Sequence, residues 1–305
     1  MIVVTTPTGH IGGQLVENLL AQGERVRVVA RDPDRLAASL RARVEVIVGS
    51  HGDAATIDTA LTGADALFWL VPPDFHAGSL QALFLDFTRP AVAAIQRHGV
   101  RHVVGVSNLG RGTPWEHHAG VVTAALAKDD LLASSGAAYR ALALPGFMDS
   151  MLGNVGTLKQ GVFSWPLAPD RKHPTVATRD IAVVATRLLI ERSWDGRADV
   201  PVLGPEDLSP DDHAHIMSEV LGQPIHYQRV SYEAVQARLL DNGASPAMAE
   251  GYVAMMRAKD QGMDDQAIRT PEVVTPTTFR QWCEEVLRPA MRAQGEAAQA
   301  PSRTS

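Results

Sequence analysis

The chain has 305 residues, of which 45% are hydrophobic and 20% charged, and its net charge is −6. A chain of this length and composition can bury a substantial core, as one large domain or as a domain with a smaller lobe. The acidic balance, without a cluster of Lys and Arg, argues against nucleic acid as the main partner.

The cysteine content and the hydropathy pattern exclude several further classes of protein. The single cysteine, Cys283, excludes an internal disulfide framework and zinc sites built on paired cysteines. The N-terminus lacks the basic and apolar regions of a signal peptide, and no run approaches the ~18 apolar residues of a membrane span. We therefore expect a cytoplasmic protein with no metal, no membrane association and a small-molecule substrate.

Short β-branched runs alternate with helical patterns over residues 1–145. Six strands are predicted: Ile2–Val4, Arg25–Ala30, Val44–Val48, Ala66–Leu70, His102–Val106 and Tyr139–Leu144. Strand–helix repetition at this spacing predicts parallel strands joined by right-handed crossovers, and nearly continuous apolar strands suit a sheet covered on both faces. The fold class is therefore α/β, a doubly wound parallel Rossmann sheet.

The pattern changes after Pro145. Residues 146–175 are rich in Gly, Pro and aromatics and are interpreted as irregular structure over the carboxyl edge of the sheet. A helix is expected at about 179–192, a strand at 199–203, and a helix start at Ser209-Pro210. This predicts a Rossmann domain over 1–150, a smaller, mostly helical lobe over 151–292 that partly returns to the sheet, and a disordered tail over 293–305.

The first predicted strand runs into a glycine-rich turn and then a helix, Thr8-Gly9-His10-Ile11-Gly12-Gly13. In this context Gly9 allows the backbone to approach a diphosphate, the helix N-terminus presents amides to it, and Gly12 lets helix and strand pack closely. The second strand ends at Arg31, about 20 residues further on, where the cofactor ribose is expected. Its guanidinium suits a 2′-phosphate and favours NADP(H), whereas the neighbouring Asp32 leaves NAD(H) open.

Several segments resemble the NmrA-like branch of the atypical short-chain dehydrogenase/reductases, which includes type 2 quinone oxidoreductases, triphenylmethane reductase and redox-sensing regulators. The resemblance spans most of the chain. It rests on IVVTTPTGHIGGQLVENLL, VARDP, VVGVSNLG, SSGAAYRALALPGF, RDIA, LGPEDL and VTPTTFRQW. It implies an NADP(H) site and a substrate cleft between the sheet edge and the lobe. The cofactor residues implied are Thr6, Thr8, Gly9, His10, Ile11, Arg31, Ser50, Val71, Pro72, Ser107 and Asn108.

The sequence departs from the family pattern at four places. Thr6-Pro7 replaces the first turn glycine, Ser50 replaces an acidic residue, and Leu144-Pro145 replaces an Arg-Pro pair. The Tyr-x-x-x-Lys pair is missing, since Val121 and Ala125 fall near its expected positions. Hydride transfer to a quinone or a cationic dye needs no protein proton donor, so a reductase remains compatible with these changes.

Two groups of side chains are candidates for the chemistry. His117 and His118 follow Glu116 and could act as general acid or base, with exposed imidazoles at a polar helix start as the alternative. The expected cleft residues are Phe75, His76, Phe147, Met148, Trp165, Tyr252 and Met256, with lobe packing as the alternative. Lys128, Asp129 and Asp130 are interpreted as a solvated helix face, His213 and His215 as exposed, and Cys283 as packing.

Three functions are consistent with these residues. The first is an NADP(H)-dependent oxidoreductase that reduces a small aromatic or quinone-like compound. The second is a non-catalytic NAD(P)-sensing regulator, suggested by the missing Tyr/Lys pair. The third is a redox-neutral isomerase or cyclase that has lost its cofactor, suggested by Thr6-Pro7 and Ser50.

Overall fold

The structure is a computed structural model that describes residues 1–299, with side chains through residue 293. Its strands are β1 (Ile2–Thr5), β2 (Val26–Ala30), β3 (Glu45–Val48), β4 (Ala66–Trp69), β5 (His102–Asn108), β6 (Ala138–Leu144), β7 (Gly146–Phe147), β8 (Val162–Trp165), β9 (His173–Val176), β10 (Arg197–Pro201), β11 (Asp207–Leu208) and β12 (His226–Arg229). Its α-helices are α1 (His10–Ala21), α2 (Ala38–Arg41), α3 (Ala54–Leu61), α4 (Arg89–His98), α5 (Val121–Ala133), α6 (Val155–Leu158), α7 (Thr178–Glu191), α8 (Pro210–Leu221), α9 (Tyr232–Asp241), α10 (Pro246–Asp260), α11 (Phe279–Trp282) and α12 (Arg288–Gln299).

A seven-stranded sheet organises the first half of the chain. Its order is β10-β6-β5-β4-β1-β2-β3, and every neighbouring pair is parallel. The six predicted strands are confirmed, and the strand predicted at 199–203 is β10 (Arg197–Pro201), which returns from the lobe as the seventh. The order reverses between β1 and β4, which is the position where doubly wound sheets bind ligands. The Thr5 hydroxyl links the two strands there, donating to the Phe68 carbonyl and accepting from the Leu70 amide.

Helices cover both faces of the sheet because alternate strand residues point to opposite sides. On one face α1 and α7 pack against the sheet residues that include Ile2 and Val4. On the other face α3, α4 and α5 cover Val3 and its neighbours. The buried apolar character of both faces explains why the strands read as continuous hydrophobic runs.

The lobe combines two small sheets with helices α8–α12. Strands β8 and β12 pair in parallel, and β7, β9 and β11 form a three-stranded sheet. Residues 146–175, interpreted from the sequence as irregular, therefore contain strands as well as helical turns. Ser209 caps α8 in a reciprocal capping box with Asp212, which confirms the helix start predicted from Ser-Pro. Among the described residues, no helix combines the length and apolar character required to cross a bilayer.

The end of the chain is helical for longer than the sequence predicted. The expected disordered tail was placed at 293–305, whereas α12 continues to Gln299. Its last residues are mostly Ala, Gln and Glu, which favour helix. The rest of the expected tail, residues 300–305, lies outside the described residues.

The prediction that His213 is exposed is wrong. Its side chain is fully buried in α8, with its ring 4.4 Å from that of Phe279, and neither ring nitrogen has a partner among the described residues. Helical phase places His213 on the inner face, whereas His215 lies outside and contacts Glu219. Burial lowers the pKa of His213 to about 3 and that of His51 to about 4.

These two buried histidines predict acid sensitivity. Below pH ~6.5 the unfolded chain protonates imidazoles that the folded chain keeps neutral, so the free energy of unfolding falls as pH falls towards 4. We expect His213 alone to contribute a loss of roughly 2–3 kcal/mol between pH 7 and pH 4. Urea unfolding at several pH values should show a shallower pH slope for His213→Leu and an unchanged slope for the exposed control His215→Leu. Equal slopes in all three proteins would contradict the assignment.

Candidate functional site

The turn between β1 and α1 adopts the shape expected of a glycine-rich loop although it begins with a threonine. Thr6 has a left-handed backbone (φ 53°), a conformation that favours glycine, and its hydroxyl donates to the Thr5 carbonyl at 2.7 Å. The Gly9 amide donates to the Thr6 carbonyl at 3.0 Å and closes the turn. A Cβ at Gly12 would lie 2.2 Å from the Thr6 oxygen, so only glycine allows α1 to approach the strand this closely.

The N-terminus of α1 is open to an anion. Gly9 is the N-cap and gives no side-chain cap, so no side chain occupies the free amides of the first turn. Thr8, Gly9 and His10 are exposed, whereas Ile11 is buried and anchors the helix. Pro7 is buried and Thr6 is half-buried. Because the amides and the helix dipole attract negative charge, an uncapped turn of this kind suits an anion such as a diphosphate.

The carboxyl end of β2 presents one free cation. Arg31 is exposed and forms no ion pair with a described residue. Asp32 instead accepts a hydrogen bond from the Asp34 amide at 3.1 Å and caps the short helical turn Pro33–Arg35. The Asp32 carboxylate thus has a backbone partner, whereas the exposed Arg31 guanidinium has none among the described residues. A contact between Arg31 and a ribose 2′-phosphate stays a prediction.

The loop after β3 places the buried imidazole of His51 next to Ser50, a predicted cofactor residue. The Ser50 hydroxyl accepts from the Gly52 amide at 3.3 Å. The neighbouring His51 is buried between Trp69 and Phe87, and its Nε2 lies 3.0 Å from the Leu70 carbonyl. Its lowered pKa keeps it neutral at pH 7, and the charge of Arg31 lowers that pKa further. Nothing in the sequence distinguished His51, because its partners Trp69, Leu70 and Phe87 lie far from it along the chain.

The predicted cofactor residues after β4 and β5 have different environments. Val71 and Pro72 are half-buried at the end of β4, and Asn108 is half-buried at the end of β5. Ser107 is buried, and its hydroxyl donates to the Asp129 carboxylate. The Ser107 side chain therefore lies in the interior between the sheet and α5 and is not free to contact a ligand.

The interpretation of Lys128 and Asp129 as a solvated helix face is wrong. Both side chains are buried between α5 and the sheet, and they form an ion pair at 2.9 Å. Asp129 also accepts from the Tyr139 hydroxyl at 2.6 Å, and Lys128 donates to the Val106 carbonyl at 2.5 Å. Asp130 is exposed, as expected. Every polar group of this network is satisfied internally, so Lys128 cannot act on a substrate as an acid or base.

Neither His117 nor His118 forms a hydrogen bond or an ion pair with the carboxylate of Glu116. Both lie exposed in the turns between β5 and α5, as the alternative interpretation expected. Glu116 accepts from the Gly112 amide at 2.8 Å and from Arg111 at 3.3 Å, so it orients neither imidazole. An acid–base role for His117 or His118 stays a prediction without a supporting contact among the described residues.

The predicted cleft residues lie in several separate environments. Phe75 stacks on Tyr252 with ring centroids 4.8 Å apart, and the exposed His76 lies in the same loop, 3.6 Å from Asp74. Met148 is buried in the lobe core with the half-buried Trp165. Phe147 packs against the main core, and Met256 is half-buried on α10. The structure therefore brings Phe75 and Tyr252 together and places Met148 and Trp165 in a different cluster.

Comparison with known proteins gives one family match. A family model described as NAD(P)H-binding matches residues 7–192. Within the residues that the structure describes, no group of three or more His, Cys, Asp or Glu side chains is arranged to hold a metal ion.

Three relatives resemble the chain over nearly their whole length. The (4-alkanoyl-5-oxo-2,5-dihydrofuran-3-yl)methyl phosphate reductase of Streptomyces griseus is 28% identical over 288 residues, covering 93% of this chain and 97% of the relative. Quinone oxidoreductase 2 of Escherichia coli is 24% identical over 287 residues, covering 91% and 95%. The crystal structure of Citrobacter sp. triphenylmethane reductase complexed with NADP(H) has a TM-score of 0.77 at 20% identity, covering 92% and 98%.

Proposed function

The chain belongs to the NAD(P)H-binding family, and from that premise we propose that it is an NADPH-dependent reductase of a small aromatic or quinone-like compound. When bound, the reduced nicotinamide supplies a hydride. The residues of this chain bind the dinucleotide, orient its nicotinamide end and exclude water from the acceptor.

The observation that carries the proposal is the open N-terminus of α1. Its first-turn amides lack a side-chain cap, Gly9 and Gly12 allow close approach of a diphosphate, and Pro7 is buried. This geometry suits a dinucleotide and speaks against the redox-neutral alternative, which assumed that Thr6-Pro7 fills the site.

Two arguments favour a conjugated acceptor: the site lacks a Tyr/Lys proton donor, and similar proteins reduce conjugated compounds. Val121 and Ala125 fall near the expected positions of the Tyr/Lys pair that would protonate an alkoxide formed from a ketone. Lys128 and Ser107 do not replace that pair, because both are committed to internal hydrogen bonds. Quinones and other conjugated acceptors take a hydride without such a pair. The relatives include a quinone oxidoreductase, a triphenylmethane reductase and a (4-alkanoyl-5-oxo-2,5-dihydrofuran-3-yl)methyl phosphate reductase.

The proposed activity is tested by following NADPH absorbance with a panel of benzoquinones, naphthoquinones and cationic triarylmethane dyes. We expect consumption of NADPH with at least one conjugated acceptor and slower consumption with NADH. Tight binding of NADPH without turnover on any acceptor would favour the sensing regulator instead.

Reversal of the charge at Arg31 tests the cofactor preference. A guanidinium makes paired, charged hydrogen bonds to a 2′-phosphate, each worth about 1.5–3 kcal/mol. Arg31→Glu should weaken NADPH binding by roughly 10- to 100-fold and change NADH binding little. Arg25→Glu is the matched control, because Arg25 is an exposed arginine just before the opposite end of the same strand. Isothermal titration with both cofactors measures the effect, and an unchanged NADPH affinity in Arg31→Glu would remove Arg31 from the site.

A further inference from the structure

We propose that the Tyr252 hydroxyl of α10 is the hydrogen-bond donor that stabilises the oxygen of a quinone or enone acceptor during its reduction. This inference rests on the proposed function, and it assigns a catalytic residue to the lobe rather than to the Rossmann domain.

The need for a donor follows from the chemistry. A hydride added to a quinone or an enone displaces an electron pair onto the carbonyl oxygen, and a donor directed at that oxygen lowers the barrier. The Ser107 hydroxyl donates its hydrogen bond to the Asp129 carboxylate. Lys128 is buried against Val106 and Asp129. Neither group is available at the carboxyl end of β5.

The packing of α10 brings Tyr252 to the start of α5. Gly120, with φ 55°, meets Gly251 so closely that a Cβ on Gly120 would lie 2.1 Å from the Gly251 carbonyl oxygen. A Cβ on Gly251 would in turn lie 3.3 Å from a Val121 methyl. The two glycines hold the helices together backbone to backbone, so the next residue of α10 is fixed beside the loop that follows β4.

The surroundings of Tyr252 join the predicted cofactor site to the lobe. Its ring packs in one apolar cluster with Val71, the predicted cofactor residue after β4, and with Val121 and Leu83. Phe75 stacks on the ring at an interplanar angle of 29°. This packing fixes the orientation of the phenol, which reduces the entropy lost when its hydroxyl engages a ligand.

The phenol is placed as a donor and not as a base. The Tyr252 hydroxyl makes no hydrogen bond to any described residue, whereas those of Tyr139, Tyr227 and Tyr232 all do. Burial raises the pKa of Tyr252 above its ordinary value. The hydroxyl therefore keeps its proton at neutral pH and remains free to donate it in a hydrogen bond.

The reaction balances without consuming the phenol. The reduced dinucleotide gives a hydride to the conjugated acceptor and becomes oxidised. The displaced electron pair moves to the acceptor oxygen, where the Tyr252 O–H group stabilises it. The anion formed from a quinone then takes up one proton from solvent to give the hydroquinone, so one proton is consumed per hydride.

The test removes only the hydroxyl. Tyr252→Phe keeps the ring that stacks on Phe75, and we expect kcat for a quinone to fall by roughly 100-fold while the NADPH dissociation constant stays unchanged. Tyr232→Phe is the matched control, since Tyr232 donates to Asp260 on the lobe surface. A cationic triarylmethane dye gives a second control: its hydride adduct carries no oxygen anion, so its rate should not depend on the Tyr252 hydroxyl.

The outcomes distinguish a failure of the role of Tyr252 from a failure of the proposed reductase activity. Quinone reduction by Tyr252→Phe at the wild-type rate would overturn the role of Tyr252 and leave the reductase proposal intact. An equal loss of rate with quinone and with dye would also overturn that role. The hydroxyl would then support the structure of the site and not the oxygen of the acceptor. If the wild-type protein binds NADPH but reduces no acceptor, the reductase proposal fails and the role of Tyr252 fails with it.

Discussion

Replacement of Gly9 by aspartate is expected to abolish NADPH binding without weakening the fold. Gly9 is the N-cap of α1 in an extended conformation (φ −88°, ψ 167°), which suits an aspartate cap. A Cβ there would lie 3.4 Å from the Thr6 oxygen, an ordinary contact. The carboxylate would take the first-turn amides and repel a diphosphate. We expect at least a ~100-fold loss of affinity, together with ~0.5–1 kcal/mol of added stability.

This variant separates binding from folding, which a bulky substitution at Gly12 would not. Calorimetric titration with NADPH and thermal unfolding of the same samples give the two readouts. Gly9→Ala is the control, because it adds the Cβ without the charge and should retain most of the affinity. NADPH binding by Gly9→Asp at the wild-type affinity would show that the cofactor does not use the N-terminus of α1.

Removal of the Asp129 carboxylate is expected to be the most destabilising single change in the Rossmann domain. Asp129 is fully buried and pairs with Lys128 while accepting from Ser107 and Tyr139. Asp129→Ala leaves the Lys128 ammonium buried with the Val106 carbonyl as its remaining partner. Loss of one member of a buried ion pair costs about 3–5 kcal/mol, which is a large fraction of a typical folding free energy.

Urea unfolding of Asp129→Ala and Asp130→Ala provides the comparison. Asp130 is the next residue of α5 and is exposed, where it pairs with Arg111 and Arg197. Exposed pairs contribute about 0–1 kcal/mol, so Asp130→Ala should unfold close to the wild-type midpoint. Similar losses in both variants would contradict the distinction between the buried and the exposed carboxylate.

The Rossmann sheet was predictable because its signals are local. Each of the six strand runs is short, apolar and β-branched, and β1 is followed directly by the glycine turn. The structure confirms all six, and it confirms the strand predicted at 199–203 as β10, which begins two residues earlier at Arg197 and lies at the sheet edge. The helix start at Ser209 was equally predictable, because a Ser-Pro pair is a local signal for the first turn of a helix.

The polar interior was not predictable from local pattern. Lys128 and Asp129 are adjacent charges on a helix, and that pattern is typical of a solvated face. Their partners Val106, Ser107 and Tyr139 lie on two other elements, so only tertiary structure shows that the charges are satisfied. His213 was misassigned for a related reason, because an acidic helix start preceded it while its own side chain faces the aromatic lobe core.

The candidate site was predictable in position more than in detail. The strand ends after β1, β2, β4 and β5 follow from topology alone. The capping role of Asp32 and the inward turn of Ser107 depend on side-chain geometry that spacing does not encode. The residues predicted to line one cleft lie apart for the same reason. Phe75 and Tyr252 stack on each other from two different elements, whereas Met148 is buried in the lobe core.

The most direct test of the account is calorimetric titration of the unmodified protein with NADPH and with NADH. Free amides at the start of α1 and the unpaired Arg31 predict a single NADPH site with a dissociation constant in the micromolar range, roughly 10- to 100-fold tighter than for NADH. No heat of binding at millimolar NADPH would show that this turn holds no dinucleotide, and the proposed reductase activity would be withdrawn.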